Sequence, residues 1–125
     1  MKVAVLGLGE AGSLYSSGFL AKGWEVTGFD PADNATPAGV LRFDDVADAV
    51  RGADLVLSLT SAKVALRAAS DAAPHLFAGA CYADMNAASA EIKAQVADVV
   101  TAAGASFADV AVVGSVPPTG CGQPW

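Results

Sequence analysis

The sequence predicts a single α/β domain built on a doubly wound parallel sheet. Three observations support this fold class. Short runs of apolar and β-branched residues alternate with segments of helical periodicity, as expected of repeated βαβ units. The first apolar run, Val3–Leu6, leads directly into closely spaced glycines. At 125 residues, the chain has the length of one domain with a substantial core.

The glycines have the spacing G-x-G-x-x-G in the run Gly7-Leu8-Gly9-Glu10-Ala11-Gly12. Between a strand and a helix, this spacing is typical of a Rossmann-type dinucleotide-binding fold. Gly7 permits the tight turn, Gly9 lets the backbone approach a pyrophosphate, and Gly12 allows the helix to pack closely on the strand. Free N–H groups at the helix start would bind the phosphates. We therefore predict that these six residues form the cofactor loop; a glycine-rich turn without a ligand is the alternative.

The first helix is predicted from about Glu10 to Lys22, because Gly23 is a typical residue just beyond a helix C-terminus. Small or apolar side chains recur at helical spacing and predict the face that packs on the sheet: Ala11, Leu14, Gly18 and Ala21.

The second strand, Trp24 to Phe29, places Asp30 at its carboxyl end, 23 residues after Gly7. An acid about 20 residues after the glycines is expected to accept hydrogen bonds from the adenosine ribose hydroxyls. It would also repel a 2′-phosphate, and no basic residue follows it directly. The sequence therefore favours NAD over NADP. An Asp-Pro turn without a ligand is the alternative.

The remaining segments complete the alternation of strands and helices. Strands are predicted at Val40–Phe43, Ala53–Leu59, Ala80–Asn86 and from Ala105 to Asp109. Helices are predicted from an Asp44 cap to Arg51, from a Ser61 cap toward Pro74, and from a Ser89 cap to Gly104.

Ligands bind beyond the carboxyl ends of the strands in such a sheet. Leu59, Thr60 and Ser61 are therefore expected to line the cofactor cleft, with helix capping alone as the alternative role for their side chains. Arg42 could reach a cofactor or be a surface residue.

Charge and composition exclude several function classes. A formal net charge of −6 disfavours nucleic acid and anionic membrane surfaces as partners. No apolar run approaches the length of a membrane span, and no His or Cys spacing predicts a metal site. Cys81 is expected to be a reduced core thiol, which together with these features predicts a cytoplasmic protein. The hydrophobic content of 54% suggests an interface, although alanine contributes much of it.

Three motifs together resemble the β-hydroxyacid dehydrogenase family, which includes 6-phosphogluconate and 3-hydroxyisobutyrate dehydrogenases. They are the glycine run, the stretch Asp84 to Ser89, and the stretch Gly104 to Ser115, which is similar to the family's substrate-loop motif. The resemblance covers nearly the whole chain. It implies that the nicotinamide lies near Asn86 and that Val113, Gly114 and Ser115 line the substrate pocket.

The chain departs from the family pattern in that Ala111 replaces a proline and Val113 replaces a serine that commonly binds the substrate carboxylate. The family's catalytic lysine lies on a helical second domain, and no lysine follows Ser115 here. We therefore expect residues 1–115 to form the dinucleotide-binding domain and residues 116–125 to begin a linker toward a C-terminal helical domain outside this chain. The isolated chain is expected to be inactive, and the full-length protein to be a homodimer.

Three functions are compatible with these features. The first is the NAD-binding module of a dehydrogenase that transfers hydride between the cofactor and a small hydroxy acid or related substrate. The second is a non-catalytic NAD-sensing regulatory module, which would not need the substrate-like motif at Asp109 to Ser115. The third, a methyltransferase using S-adenosylmethionine, fits the glycine motif and the sheet less well.

Overall fold

The computed structural model describes residues 1–110, which fold into six parallel strands with helices on both sides. The strands are β1 (Lys2–Leu6), β2 (Glu25–Phe29), β3 (Leu41–Arg42), β4 (Leu55–Ser58), β5 (Cys81–Asp84) and β6 (Ser106–Asp109). The helices are α1 (Glu10–Ala21), α2 (Val46–Val50), α3 (Ala65–Ala72) and α4 (Ala90–Ala102), and a 3₁₀ turn, Ala73–His75, follows α3. The strand order is β3-β2-β1-β4-β5-β6. This topology confirms the predicted doubly wound α/β fold.

Two helix starts differ from the predictions because a different side chain makes the cap. Asp45, not Asp44, caps α2 by accepting a hydrogen bond from Asp48 N. Ser61 Oγ accepts from Val64 N at 3.3 Å, but this bond closes a turn, and α3 begins only at Ala65. Ser89 caps α4 as predicted.

Two apolar layers cover the sheet. On one side, α2, α3 and α4 pack on the strands around the fully buried Tyr82. On the other side, Phe19 and Tyr15 of α1 contact a second layer contributed mainly by β1, β2, β4 and β5. Because β1 and β4 are buried on both faces, they read as continuous apolar runs.

The packing face of α1 was predicted wrongly. The residues buried on this helix are Gly12, Ser16 and Phe19, whereas Leu14 is 70% exposed. Helical periodicity alone does not choose between faces when both are rich in small residues. The aromatic ring of Phe19, which packs edge-on against Trp24 with 4.8 Å between ring centroids, fixes the orientation instead.

Cys81 is disulfide-bonded in the structure, so the predicted reduced thiol is wrong. The position of Cys81 in an apolar strand gave no indication of the bond. Within residues 1–110, no helix is long and apolar enough to cross a bilayer. The predicted cytoplasmic location stays a prediction.

Candidate functional site

The glycine turn lies where the strand order changes direction, at the carboxyl ends of β1 and β4. Gly7 N donates to Phe29 O of β2 at 2.7 Å, and Leu59 N donates to Leu6 O at 2.7 Å. The turn is thereby tied to the strands on both sides of β1. Such a switch point is the usual ligand crevice of an open parallel sheet.

The structure confirms the roles predicted for Gly7 and Gly12, whereas the role of Gly9 stays a prediction. Gly7 has a φ of +108°, which favours glycine, and a Cβ there would overlap the Leu59 carbonyl oxygen. A Cβ on Gly12 would overlap the Gly7 carbonyl oxygen, so α1 can pack this closely on the turn only without a side chain. A Cβ on Gly9 would have nothing within 4 Å. Gly9 therefore borders open space where a ligand could approach the backbone.

The N-terminus of α1 has no side-chain cap. Gly9 is its N-cap residue, whereas α2 and α4 are capped by the side chains of Asp45 and Ser89. First-turn N–H groups have no partner within a helix, and together with the helix dipole they bind anions. The exposed Glu10 carboxylate and the half-buried Ala11 belong to this first turn. The first turn of α1 therefore has N–H groups available to a phosphate, and the phosphate contact stays a prediction.

Leu8 acts through its backbone. Its side chain is 2% exposed and packs in the core layer beneath the turn. Its N–H group donates to Asp30 Oδ2 at 2.7 Å. This hydrogen bond joins the glycine turn to the acid at the end of β2, so two predicted cofactor-binding elements are in direct contact.

Asp30 accepts two further hydrogen bonds, from Ala32 N to Oδ1 at 2.8 Å and from Asn34 Nδ2 to Oδ2 at 3.0 Å. Partial burial acts to raise the pKa of the Asp30 carboxyl, but the hydrogen bonds from Asn34, Ala32 and Leu8 and the charge of Arg42 together hold this pKa below its ordinary value. Asp30 is therefore a carboxylate at neutral pH. A carboxylate has about four acceptor sites, so Oδ1 keeps one site for a ribose hydroxyl.

Arg42 has a role that the sequence did not reveal. Its guanidinium donates to the carbonyl oxygens of Asp30 at 2.9 Å, Ala32 at 2.6 Å and Asn34 at 2.6 Å. The Arg42 guanidinium therefore neither faces the open cleft nor lies free in solvent. It holds the loop that follows β2.

The opposite end of the cleft contains Asn86, which follows β5. The Asn86 side chain is 8% exposed and donates to Ser58 Oγ at 3.1 Å, while Asn86 N donates to Asp84 Oδ1 at 2.8 Å. Leu59 and Thr60 are half-buried at the end of β4. The fold therefore brings the predicted residues to the same edge of the sheet as the glycine turn, and their contact with a cofactor stays a prediction.

A buried ion pair lies next to Asn86. Lys93 Nζ of α4 contacts Asp84 Oδ1 at 3.1 Å and Asp109 Oδ1 at 2.6 Å. Asp84 is fully buried, and the Lys93 side chain is 11% exposed. Lys93 thus joins the carboxyl ends of β5 and β6 to α4. Sequence reasoning missed this lysine because each of its partners is distant along the chain.

The predicted substrate-binding residues Val113, Gly114 and Ser115 lie outside the described residues, as does the predicted domain boundary after residue 115. Over residues 1–110, no cluster of His, Cys, Asp and Glu side chains could hold a metal ion.

The fold, the glycine turn and the acid at the end of β2 define a Rossmann-type dinucleotide-binding domain. A family model described as the NAD-binding domain of 6-phosphogluconate dehydrogenase matches residues 2–123. The chain belongs to this family, as the sequence motifs predicted, and its role is that of a cofactor-binding domain of an oxidoreductase.

Solved structures agree with this assignment. The chain is 29% identical to 3-hydroxyisobutyrate dehydrogenase of Mycobacterium tuberculosis, determined with L-serine, with a TM-score of 0.83 over 90% of this chain and 40% of that one. A conserved hypothetical protein of Sinorhizobium meliloti is 29% identical, with a TM-score of 0.79 over 91% of this chain and 42% of that one. The imine reductase BcSIRED of Bacillus cereus is 26% identical, with a TM-score of 0.75 over 95% and 42% of the two chains. No curated protein matches. The chain thus spans about two fifths of these solved chains.

Proposed function

We propose that this chain binds NAD(H) in preference to NADP(H) and supplies the cofactor half of a dehydrogenase for a small hydroxy acid or related substrate. The observation that carries the proposal is the hydrogen bond between Leu8 N and the ionised Asp30 carboxylate. It joins a phosphate-binding turn to a ribose-binding acid in one unit.

In this proposal, each end of the cleft binds a different part of the dinucleotide. The pyrophosphate would bind over Gly9 at the start of α1, where first-turn N–H groups are available. The adenosine ribose would donate a hydroxyl to Asp30 Oδ1. The nicotinamide, which when bound exchanges a hydride with the substrate, would lie toward Asn86, Leu59 and Thr60. The hydrogen bond from Asn86 to Ser58 would keep that side chain in a single orientation.

Preference for NAD follows from charge. Asp30 is ionised, so a 2′-phosphate on the adenosine ribose would face a negative charge. Repulsion between unit charges about 4 Å apart is about 1 kcal/mol in water and about 4 kcal/mol near a protein surface. A preference for NAD of about fivefold or more is therefore expected.

We propose that the groups needed for catalysis lie outside the described residues. In this proposal, the substrate binds along Val113, Gly114 and Ser115, and the general acid/base lysine belongs to a second, helical domain. The valine at position 113 cannot bind a substrate carboxylate as a serine hydroxyl does, so the full-length enzyme would position this group by other residues. A homodimeric full-length protein and a cytoplasmic location are parts of the same proposal.

Calorimetric titration of the 125-residue chain with NADH and NADPH tests the proposal. We expect NADH to bind more tightly, and we expect Asp30→Ala to narrow the difference. Equal or tighter binding of NADPH to the unaltered chain would contradict the assigned cofactor preference.

A turnover assay separates the enzyme from the NAD-sensing alternative. The 125-residue chain should form no NADH from simple hydroxy acids, because a missing general acid/base typically lowers the rate about a hundred- to ten-thousand-fold. A longer version that includes the second domain should be active with a hydroxy acid or related substrate. A longer version that binds NAD but lacks turnover with a panel of such substrates would favour the sensing module.

A further inference from the structure

We infer that Arg42 is a specificity-determining positioning residue, which holds the loop after β2 so that the Asp30 carboxylate selects against a 2′-phosphate. The inference rests on the proposed function and adds a residue that sequence motifs did not assign to the site.

The contacts of Arg42 define its role. Its Nη1 donates to the Asn34 carbonyl, and its Nη2 donates to the carbonyls of Asp30 and Ala32, with distances of 2.6 to 2.9 Å. Nη1 also lies 3.5 Å from Thr36 Oγ1. A planar guanidinium with several fixed donors can satisfy carbonyls from alternate loop residues at once, which a single ammonium cannot do in the same geometry. The loop is therefore wrapped around this side chain.

The loop in turn fixes the Asp30 carboxylate. Ala32 N and Asn34 Nδ2 both donate to it, and the carbonyl groups of the same two residues bind Arg42. Arg42 thus holds two of the residues that orient the carboxylate, while Leu8 N holds it from the glycine turn. Removing the guanidinium would release the loop and, with it, two of the three hydrogen bonds that orient the carboxylate, so that Leu8 N alone would hold it.

The same contacts explain why Arg42 is not expected to bind a phosphate itself. Its Nη1 and Nη2 groups already donate to backbone carbonyls, and Leu8 N, Ala32 N and Asn34 Nδ2 already donate to the Asp30 carboxylate. A 2′-phosphate would compete with these acceptors for the same donors. A basic residue near the ribose site, which by its type suggests NADP, here supports the selection of NAD.

The test compares Arg42→Met with the unaltered 125-residue chain in titrations with NADH and NADPH. We expect the affinity for NADH to fall about tenfold, because the loop must then be ordered on binding. The affinity for NADPH should change by less than about threefold, because a carboxylate released by the loop can turn away from the 2′-phosphate and so offset the same ordering cost. The preference for NADH should therefore narrow. Arg67→Met, which removes an 86%-exposed arginine from α3, is the matched control and should change neither affinity.

Other outcomes would overturn the inference. A greater loss for NADPH than for NADH would make Arg42 a phosphate ligand. Equal losses, or no loss, would mean that Arg42 does not determine specificity. If the unaltered chain bound neither dinucleotide, the proposed function itself would fail, which is a different result from any of these.

A second variant separates an effect on cofactor preference from an effect of misfolding. Arg42→Lys keeps the charge but not the guanidinium fork, and it should give an intermediate loss of preference. Amide hydrogen exchange at Ala32 without ligand gives an independent readout, since this N–H should exchange faster in both Arg42 variants. Unchanged exchange in both variants would show that Arg42 does not order the loop.

Discussion

Gly9 and Gly12 lie three residues apart in one motif, yet their replacement should have opposite effects. Gly9→Val should remove dinucleotide binding and leave the fold intact. The φ of −71° and ψ of −160° at Gly9 suit any residue, and a Cβ there meets no atom within 4 Å. Valine is a poorer N-cap residue than glycine, which lowers the free energy of unfolding by about 1 kcal/mol at most.

The loss of binding follows from the position of the valine side chain, between the ligand and the first-turn N–H groups of α1. A hydrogen bond to a charged group contributes about 1.5–3 kcal/mol. Losing two such bonds to the pyrophosphate would weaken binding by about 3–6 kcal/mol, which is about a hundredfold or more.

Gly12→Ala should instead destabilise the fold. Its Cβ would overlap the Gly7 carbonyl oxygen and lie 2.8 Å from the carbonyl carbon, and both are backbone atoms that cannot move alone. The gain in helix propensity, about 1 kcal/mol, is smaller than the overpacking penalty of about 1–3 kcal/mol or more.

Urea denaturation without ligand and calorimetric titration with NADH separate these two effects. Near-normal NADH binding by Gly9→Val would refute the assignment of the phosphate site. An unfolding free energy for Gly12→Ala equal to that of the unaltered chain would refute the packing argument.

Three more predictions concern charged and buried groups. Lys93→Met should lower the free energy of unfolding, measured by urea denaturation, by about 3 kcal/mol, because it leaves the buried Asp84 carboxylate without its cationic partner. Asp109→Asn changes a 60%-exposed side chain and should lower the free energy of unfolding by less than about 1 kcal/mol. Burial of the Tyr82 hydroxyl raises its pKa. The folded chain therefore keeps the hydroxyl proton of Tyr82 at a pH where the unfolded chain loses it, and the free energy of unfolding should fall above about pH 10. Urea denaturation of Tyr82→Phe at several alkaline pH values should show a smaller fall than the unaltered chain shows. The pKa of Asp30 is lowered in the folded chain, so its contribution to the free energy of unfolding is present above about pH 4 and is lost as the pH falls further. Urea denaturation of Asp30→Asn at several acidic pH values should therefore show a smaller fall in this free energy than the unaltered chain shows. Equal falls in both chains would contradict the lowered pKa of Asp30.

Features that depend on local backbone chemistry were predictable from the sequence. The positive φ of Gly7, the close packing at Gly12 and the acid at the end of β2 all follow from residue types at fixed short spacings. Strand positions were also predictable, since each buried strand has its own apolar run and ends at turn-forming residues.

Features that depend on partners distant along the chain were not predictable. Arg42 binds a loop that precedes it by up to 12 residues, and Lys93 binds acids on two different strands. Nothing in the residues beside either one identifies these partners. The face of α1 was misassigned for a related reason, because Leu14 is exposed by the position of the sheet rather than by its own hydrophobicity.

The lack of a side-chain cap at the N-terminus of α1 has a consequence for the abundance of the protein in a cell. A glycine in place of a serine or aspartate cap lowers helix stability by roughly a few tenths of a kcal/mol, and here a bound pyrophosphate would supply hydrogen-bond partners for the first-turn N–H groups. A ligand present at a hundred times its dissociation constant stabilises the folded state by about 2.7 kcal/mol. Chaperones and proteases remove unfolded chains continuously. The abundance of this domain would therefore follow the supply of its own cofactor, so that chains made when dinucleotide is scarce are degraded sooner.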